Sequence, residues 1–565
     1  MEKILVLGAM PEGAIPQDCL AAGPWCFAGR EELFPDWESR FAFAPEPLRD
    51  PARLELCAKQ ALATYVGALP ALAEALCPAN RLPLVYWETL LAPWGVDVAR
   101  QLVERWARAV AMIDVWGEMP LRVPLLPPEC TFSFATGHDF TLCGALGATF
   151  NHWLLSRLLE AAWPEAWQKE ILSPVSERHG LGRGSPGMKE CLRRGARRLA
   201  LGLPCPPLKG MSLLQSLRFS LALLHKSKGE DHSFPLCAVF AGVGQQCGLP
   251  LPALPVFLAA LPRSLQELKH PAKLSVTSAP RLRVASIQSY EDEKYLQRLA
   301  VWRGRGHRLM YAQHGAGYGQ MLTGCLAPAV EYRQHAFITW GWREHGGLRG
   351  NFIPLPYPQL VRIAEKHRGE GKDILFVGTE MPLFPYRLDA WPTPLQVLEY
   401  RQAKARFFSA LRDDLRARSL YRPYFPVPGT LRDADWLLPQ FPQVRLCAGD
   451  LAGRMLSCRL LVLDHPGTTM LEALAANVPV VSYWSRPSWH FTRESEVMLD
   501  SLAEAGIWYP TPEEAARAAG RVFDNPLLWW KGDSVQAARR RYCAKYAMTV
   551  RSGANRYWIK TLAQL

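Results

Sequence analysis

The stretch from Leu460 to Tyr483 constrains this chain more than any other, because its order of apolar run, polar turn, periodic segment and second apolar run fits one local structure. Leu460 to Leu463 are uninterrupted apolar residues, the pattern of a parallel strand covered on both faces. Asp464, His465, Pro466 and Gly467 break that run, and Thr468 or Thr469 is suited to cap a helix. Met470, Leu471, Leu474 and Ala475 recur at helical spacing, Asn477 can end the helix, and Pro479 to Val481 open the next strand. Such a unit leaves backbone N–H groups and two hydroxyls at a helix N-terminus, where an anion is favoured. Glu472, one turn in, is positioned to reach a ribose hydroxyl. An ordinary βαβ connection without ligand has the same pattern, so the stretch alone does not decide between them.

A second polar constellation lies upstream. The segment Glu291 to Arg303 reads as a charged helix with Tyr295, Leu299 and Trp302 for packing, and Leu309 to Ala312 read as a strand. Gln313, His314 and Gly315 follow at the carboxyl end of that strand, where open α/β sheets bind ligands. Gly315, Gly317 and Gly319 let the backbone approach a substrate closely. A histidine there is a natural general base for an acceptor hydroxyl, since its pKa lies near working pH. The alternative is a histidine that only hydrogen-bonds the turn.

Composition narrows the class. A chain of 565 residues is long enough for two or more domains, and 49% hydrophobic with 21% charged residues is the balance of a globular protein. The apolar start Ile4 to Leu7 is too short for a signal peptide and reads as a first strand. The longest apolar stretch, Phe234 to Pro262, is interrupted by Gln245, Gln246, Pro250, Pro252 and Pro255, so it is a poor membrane span. The 14 cysteines show no CxxC pair or zinc spacing, which points to reduced core residues and a cytoplasmic protein. The net charge of +13 is locally concentrated at Arg178, Arg183, Lys189, Arg193, Arg194, Arg197 and Arg198, around a glycine-rich loop from Gly180 to Gly187. That patch suits an anionic membrane surface or a phosphorylated substrate; no recognition motif for nucleic acid accompanies it, and a solvated helix face is the plain alternative.

Along the chain, residues 120–140 are proline-rich and extended, and helices are expected from Phe150, over Leu213 to Leu224, and over Gln396 to Arg418. Arg281 to Gln288 read as a strand, and residues 350–372 as a linker between domains. Ile374 to Val377 open a fresh strand, with further strand signals at Tyr421 to Tyr424 and in the Leu460 unit. The tail from Leu527 to Leu565 is expected to be helical and to pack back across the first domain.

Four blocks carry a family resemblance: Tyr86 to Trp94, Gln313 to Gly319 with Thr339 to Trp342, Thr468 to Leu474 with Val478 and Pro479, and Arg540 to Tyr546. On these the chain resembles a family of transferases encoded among surface-polysaccharide and O-antigen biosynthesis genes. The resemblance implies an α/β, GT-B-like architecture: two Rossmann-like domains facing across a cleft, with helical insertions in the first. The expected boundaries are 1–365 for the acceptor-side domain, 366–525 for the donor-binding domain and 526–565 for the helical tail. CDP-glycerol phosphotransferases and bacterial Kdo and sialic acid transferases are similar in layout. The chain departs from the family at Asp464 to Gly467, where members carry a tyrosine- or asparagine-containing turn. Its His465-Pro466 pair resembles the cytidine-monophosphate site of some bacterial sialyltransferases, which points to a CMP-linked acid sugar.

The function expected is transfer of a sugar from a nucleotide-activated donor to a surface-polysaccharide or lipid-linked acceptor, at the inner face of the membrane. The nucleotide sugar is a co-substrate, and no cofactor or metal is assigned. His314, Glu331 and His465 are the candidate catalytic residues. Gln313, Gly315, Arg387, Arg422, Asp464, Gly467, Thr468, Thr469 and Glu472 are the candidate donor-binding residues. Arg387 and Arg422 are included because a planar guanidinium pairs well with phosphate, although either can equally be a structural ion-pair partner. Asp433 and Asp435 match a metal-binding DxD of a different transferase fold but fall in a polar turn, so chance explains them better. Two rivals stay open: a CDP-glycerol-type phosphotransferase or nucleotide-sugar 2-epimerase on the same architecture, and a non-catalytic nucleotide-binding assembly factor.

Overall fold

The computed structural model describes residues 3–78, 81–180, 195–224, 227, 229–240, 248–324, 326–369 and 371–565. The glycine-rich loop beyond Gly180, with Arg183, Lys189, Arg193 and Arg194 of the basic cluster, lies outside the described residues.

Three parallel sheets organise the chain. The first is built from β1 (Lys3–Val6), β2 (Cys19–Ala21), β3 (Ala42–Phe43), β4 (Leu121–Leu125) and β6 (Trp167–Ile171), in the order β3-β2-β1-β4-β6. Beside it β5 (Thr131–Phe134) pairs with β7 (Ser176–His179). The second sheet holds β8 (Leu282–Ala285), β9 (Arg308–Ala312), β10 (Ala336–Thr339) and β11 (Phe352–Pro354) in the order β11-β10-β9-β8. The third contains β12 (Ile374–Val377), β13 (Ser419–Arg422), β14 (Arg445–Leu446), β15 (Leu460–Leu463), β16 (Val480–Tyr483) and β17 (Trp508–Tyr509), in the order β14-β13-β12-β15-β16-β17. Residues 3–365 thus carry two larger parallel sheets and the two-stranded β5–β7 pair, where a single Rossmann-like unit was expected. The 110 or so residues between β6 and β8 carry no alternating strand pattern by which the break could be read.

In the third sheet, chain order against spatial order is that of a doubly wound Rossmann sheet, whose ligand crevice opens between its first and fourth strands. Those strands are β12 and β15, which pair in register from Ile374 with Leu460 to Val377 with Leu463. All four residues of β15 and of β16 are fully buried, because helices cover both faces. The helix Thr468–Ala476 ends at Asn477 in the left-handed region (φ 62°), but Gly467, not a threonine, is its N-cap.

A long helix, Leu84–Trp116, is buried along most of its length although it carries a stripe of charge. Arg108 pairs with Glu104 at 2.6 Å and with Glu46 at 3.0 Å, and Arg333 reaches Glu88 at 2.8 Å. Arg105 donates to Asn151 (2.8 Å), Gln101 (3.1 Å) and the carbonyl of Pro385 (3.2 Å). The helix therefore contacts the first sheet's helix, the second sheet's approach and the segment after β12.

The tail is helical over Pro526–Trp530, Asp533–Tyr546 and Ala554–Gln564. Tyr542 donates to Gln320 (2.5 Å), the Met548 N–H to the carbonyl of Trp340 (2.8 Å), and the Trp558 indole to the carbonyl of Pro356 (2.8 Å). Arg539 donates to the carbonyl of Leu474 (2.8 Å), a cation at the end of the Thr468–Ala476 helix. Among the described residues, no helix is long and apolar enough to cross a membrane.

Replacing Arg108 with Met leaves Glu104 and Glu46 buried without their shared cation. A loss of about 3–5 kcal/mol is expected from breaking such a pair, read as a lowered thermal midpoint; an unmoved midpoint would mean the charged stripe does not clamp the fold.

Candidate functional site

The carboxyl ends of β9 and β15 meet. The backbone N–H of Ala316 donates to the Thr468 hydroxyl at 3.0 Å, so the Gln313–Gly319 loop touches the N-terminus of the helix Thr468–Ala476. Two constellations that lie some 150 residues apart in sequence form one site.

On the β9 side, His314 is partly buried, with 21% of its side chain exposed. The Tyr318 hydroxyl lies 3.2 Å from its Nε2 and 3.1 Å from Oε1 of Glu331, to which it donates. Tyr290, just past β8, donates to the same Glu331 oxygen at 2.7 Å. His314 Nδ1 stands 3.7 Å from Glu331, too far for a direct hydrogen bond, so Tyr318 bridges them. Glu331 is fully buried, and among the described residues its Oε2 has no hydrogen-bond partner. Burial, opposed by the two tyrosine hydrogen bonds, pushes its carboxyl up to about 7. Burial, helped by the charge of Arg387, pulls the His314 imidazole down to about 4, so it is neutral at physiological pH. Burial and the Glu331 carboxylate hold the hydroxyls of Tyr290 and Tyr318 protonated.

Gln313 is a pin for the loop. Its Oε1 accepts from the Trp340 N–H (3.0 Å) and the Trp342 indole (2.9 Å), and its Nε2 donates to the carbonyl of Gly315 (2.9 Å). Gly317 and Gly319 take positive φ (95° and 73°), and a Cβ at Gly319 would strike the Trp342 ring at 2.5 Å. Gly315 is under no such demand; a Cβ there would meet only the Thr468 hydroxyl, at 3.6 Å.

On the β15 side, no side chain caps the helix that begins at Thr468, and Thr468 and Thr469 are partly exposed. Asp464 is fully buried and accepts from the Thr379 N–H at 2.8 Å, which ties the end of β12 to that of β15. The same oxygen holds His465 Nδ1 at 2.9 Å, and the imidazole edge lies against Gly467. Glu472, mostly buried, pairs with Lys209 at 2.8 Å. Arg387 is exposed, with its guanidinium 4.9 Å from the ring centre of Tyr386 and 5.0 Å from that of Trp391, and its charge is felt at His314 and Tyr318. Arg422 stands apart: it donates to the carbonyls of Cys447 (3.2 Å) and Gly449 (3.0 Å), fastening the loop after β14.

The crevice floor holds groups that sequence reasoning did not single out. Lys404, from the helix Pro394–Ala410, is buried and donates to Asp433 (2.5 Å) and to the carbonyl of Thr379 (2.6 Å), with Asp464 3.5 Å away. Glu380 beside them is pushed up to about 7, by burial first and the Asp433 charge second. Asp433 is therefore an ion-pair partner, while Asp435 pairs with Arg432 on the surface at 2.6 Å. Among the described residues, no cluster of His, Cys, Asp and Glu has the arrangement of a metal site. Tyr318 lay inside a block already singled out; Lys404 carried no signal, being one more lysine in a helix.

A family model described as LIC12162 family transferase matches residues 3–562. The chain belongs to that transferase family. No curated protein matches the transferase. One solved structure, a mutant O-GlcNAc transferase of Thermobaculum terrenum, is similar at 13% identity with a TM-score of 0.25, over 89% of this chain and 82% of that one.

The buried Glu331 gives this transferase a signature in stability. Its folded pKa of about 7 lies above the ordinary value of 4.5. Stability from this group is therefore complete below about pH 4.5 and lost as pH rises through 7, by up to about 3 kcal/mol. Glu331→Gln should raise the thermal midpoint relative to wild type at pH 8 and much less at pH 5; equal shifts at both would place the titration elsewhere.

Proposed function

We propose that the protein is a glycosyltransferase with a GT-B-like cleft between the second and third sheets, the third holding a nucleotide-activated sugar and the second receiving the acceptor. The observation that carries the reading is the contact between Ala316 and Thr468, which brings a neutral histidine to the edge of an uncapped helix N-terminus. The donor phosphate lies on the N–H groups of Thr468 and Thr469, with Arg387 as its countercharge. Asp464 orients His465 toward the leaving group, and the Lys209–Glu472 pair borders the nucleoside. A CMP-linked acid sugar fits this balance, since one phosphate and one carboxylate divide between the helix N-terminus and Arg387.

His314 takes the proton of the acceptor hydroxyl as that oxygen attacks the anomeric carbon and the bond to the leaving phosphate breaks. The imidazolium so formed is stabilised by Glu331 through Tyr318. That stabilisation needs Glu331 ionised, so the rate is expected to rise with pH through about 7. The acceptor is a growing surface glycan on a lipid carrier, and the nucleotide sugar is the only co-substrate.

The test is a mass-spectrometric screen of the purified protein against CMP-, CDP-, UDP-, GDP- and dTDP-linked donors with glycan acceptors. Sugar transfer that falls by about 10²-fold or more in His314→Ala, and a pH profile that flattens in Glu331→Gln, are the expected results. Conversion of a nucleotide sugar with no acceptor present would make the protein an epimerase, glycerol-phosphate transfer would make it a phosphotransferase, and an unaffected His314→Ala would remove the base.

A further inference from the structure

The helix Leu213–Ala222 is inverted relative to an ordinary surface helix. Its inward face is held by polar contacts: Ser216 donates to the carbonyl of Cys205, Ser220 accepts from the Cys205 N–H at 3.0 Å, and Gln215 donates to Asn555 at 2.8 Å. Phe219, stacked on Trp558 with ring centres 5.2 Å apart, and Leu223 in the C-terminal turn are the large apolar side chains buried there. Outward, Leu213, Leu214, Leu217, Leu221 and Leu224 are between 42% and 66% exposed. Their spacing puts them on one face of the helix and its C-terminal turn. On the neighbouring helix Ala554–Gln564, Tyr557 (53% exposed) and Ile559 flank the buried Trp558 on opposite sides. A row of five exposed leucines on one helix face marks a contact site.

Charge identifies the occupant. The sequence contains no acidic residue from Gly195 to Gly229, nor from Ser534 to Leu565. Arg218 is exposed within the leucine helix, and Arg556 and Lys560 are exposed on its neighbour. Exposed leucines beside the cations Arg218, Arg556 and Lys560, with no acidic residue on either helix, fit the boundary between headgroups and acyl chains of an anionic bilayer. A second copy of the same face would bring like charges together, so self-association there is disfavoured.

We infer that the leucine face of Leu213–Leu224, together with the helix Ala554–Gln564, docks the protein on an anionic lipid bilayer. The face adjoins the candidate site: Leu213 is four residues from Lys209, the partner of Glu472, so their Cα atoms are separated by at most about 14 Å of extended chain. A docked molecule thereby presents its cleft near the membrane plane, where a lipid-linked acceptor is found. That last link rests on the glycosyl-transfer reading; bilayer binding itself does not.

The experiment is co-sedimentation of the full chain with vesicles of phosphatidylcholine, alone and mixed with phosphatidylglycerol, and light scattering of the protein without lipid. Binding to the phosphatidylglycerol vesicles is expected, weakened by salt and reduced about tenfold or more in Leu217→Glu/Leu221→Glu and in Arg556→Glu/Lys560→Glu. The substituted side chains are exposed, so thermal midpoints should be unchanged and serve as the folding control. Absence of wild-type binding to these vesicles, or undiminished binding by the leucine variant, overturns the inference. So does a dimer that the leucine variant dissolves without any vesicle binding, which would assign the face to a second copy. Because no nucleotide is present, failure here leaves the transferase reading untouched.

Discussion

The fold depends on one costly arrangement, the charged stripe of the buried helix Leu84–Trp116. Charges taken out of water must be paired with good geometry, and a pair broken in the interior is far more damaging than one never buried. Here the partners come from separate parts of the chain: Glu46 after β3, Asn151 beside the first sheet, Arg333 at the entrance to β10, and the Pro385 carbonyl beyond β12. An apolar helix could slide against such neighbours at modest cost. A helix whose cations have one set of partners cannot, and its pairing fixes how the sheets face one another.

That registration makes the Ala316–Thr468 contact a fixed feature, and the electrostatics of the cleft follow from it. Burial acts in opposite senses on the two groups beside Tyr318: it keeps His314 uncharged and raises Glu331 into the physiological range. Both shifts disfavour charge. On the proposed reading, an approaching anionic donor would change the balance in favour of an imidazolium, so the site would gain basicity with donor bound. Glu331 Oε2 is a buried acceptor without a hydrogen-bond partner among the described residues.

Much of this was legible in the sequence, for reasons that differ by element. β15 is a continuous apolar run, β16 opens on two valines, and Asn477 ends the intervening helix by adopting a conformation asparagine tolerates. His314 falls at a strand end, which topology alone makes significant. What stayed hidden depends on contacts across long sequence distances. Nothing local distinguishes Lys404 from a solvated lysine, or Asp433 from a chance DxD, until Thr379 and Asp464 come beside them. Arg387 and Arg422 look alike as sequence, yet one lies over the rings of Tyr386 and Trp391 near the cleft and the other ties down a loop. The division of residues 3–365 into separate sheets was invisible for a related reason: between β6 and β8 only the short polar strand β7 is described, and its sequence, Ser-Glu-Arg-His, has no apolar alternation.

The central claim is that the crevice between β12 and β15, completed by the His314 loop, holds a nucleotide. It is tested most directly by the thermal midpoint of the purified protein against CMP, CDP, UDP, GDP and dTDP, repeated on Glu472→Ala and Arg387→Ala. A nucleotide at a hundredfold excess over its Kd stabilises by about 2.7 kcal/mol. The account predicts such a rise with one base, lost or strongly reduced in both variants; no rise with any of the five, or one that both variants retain in full, would contradict it.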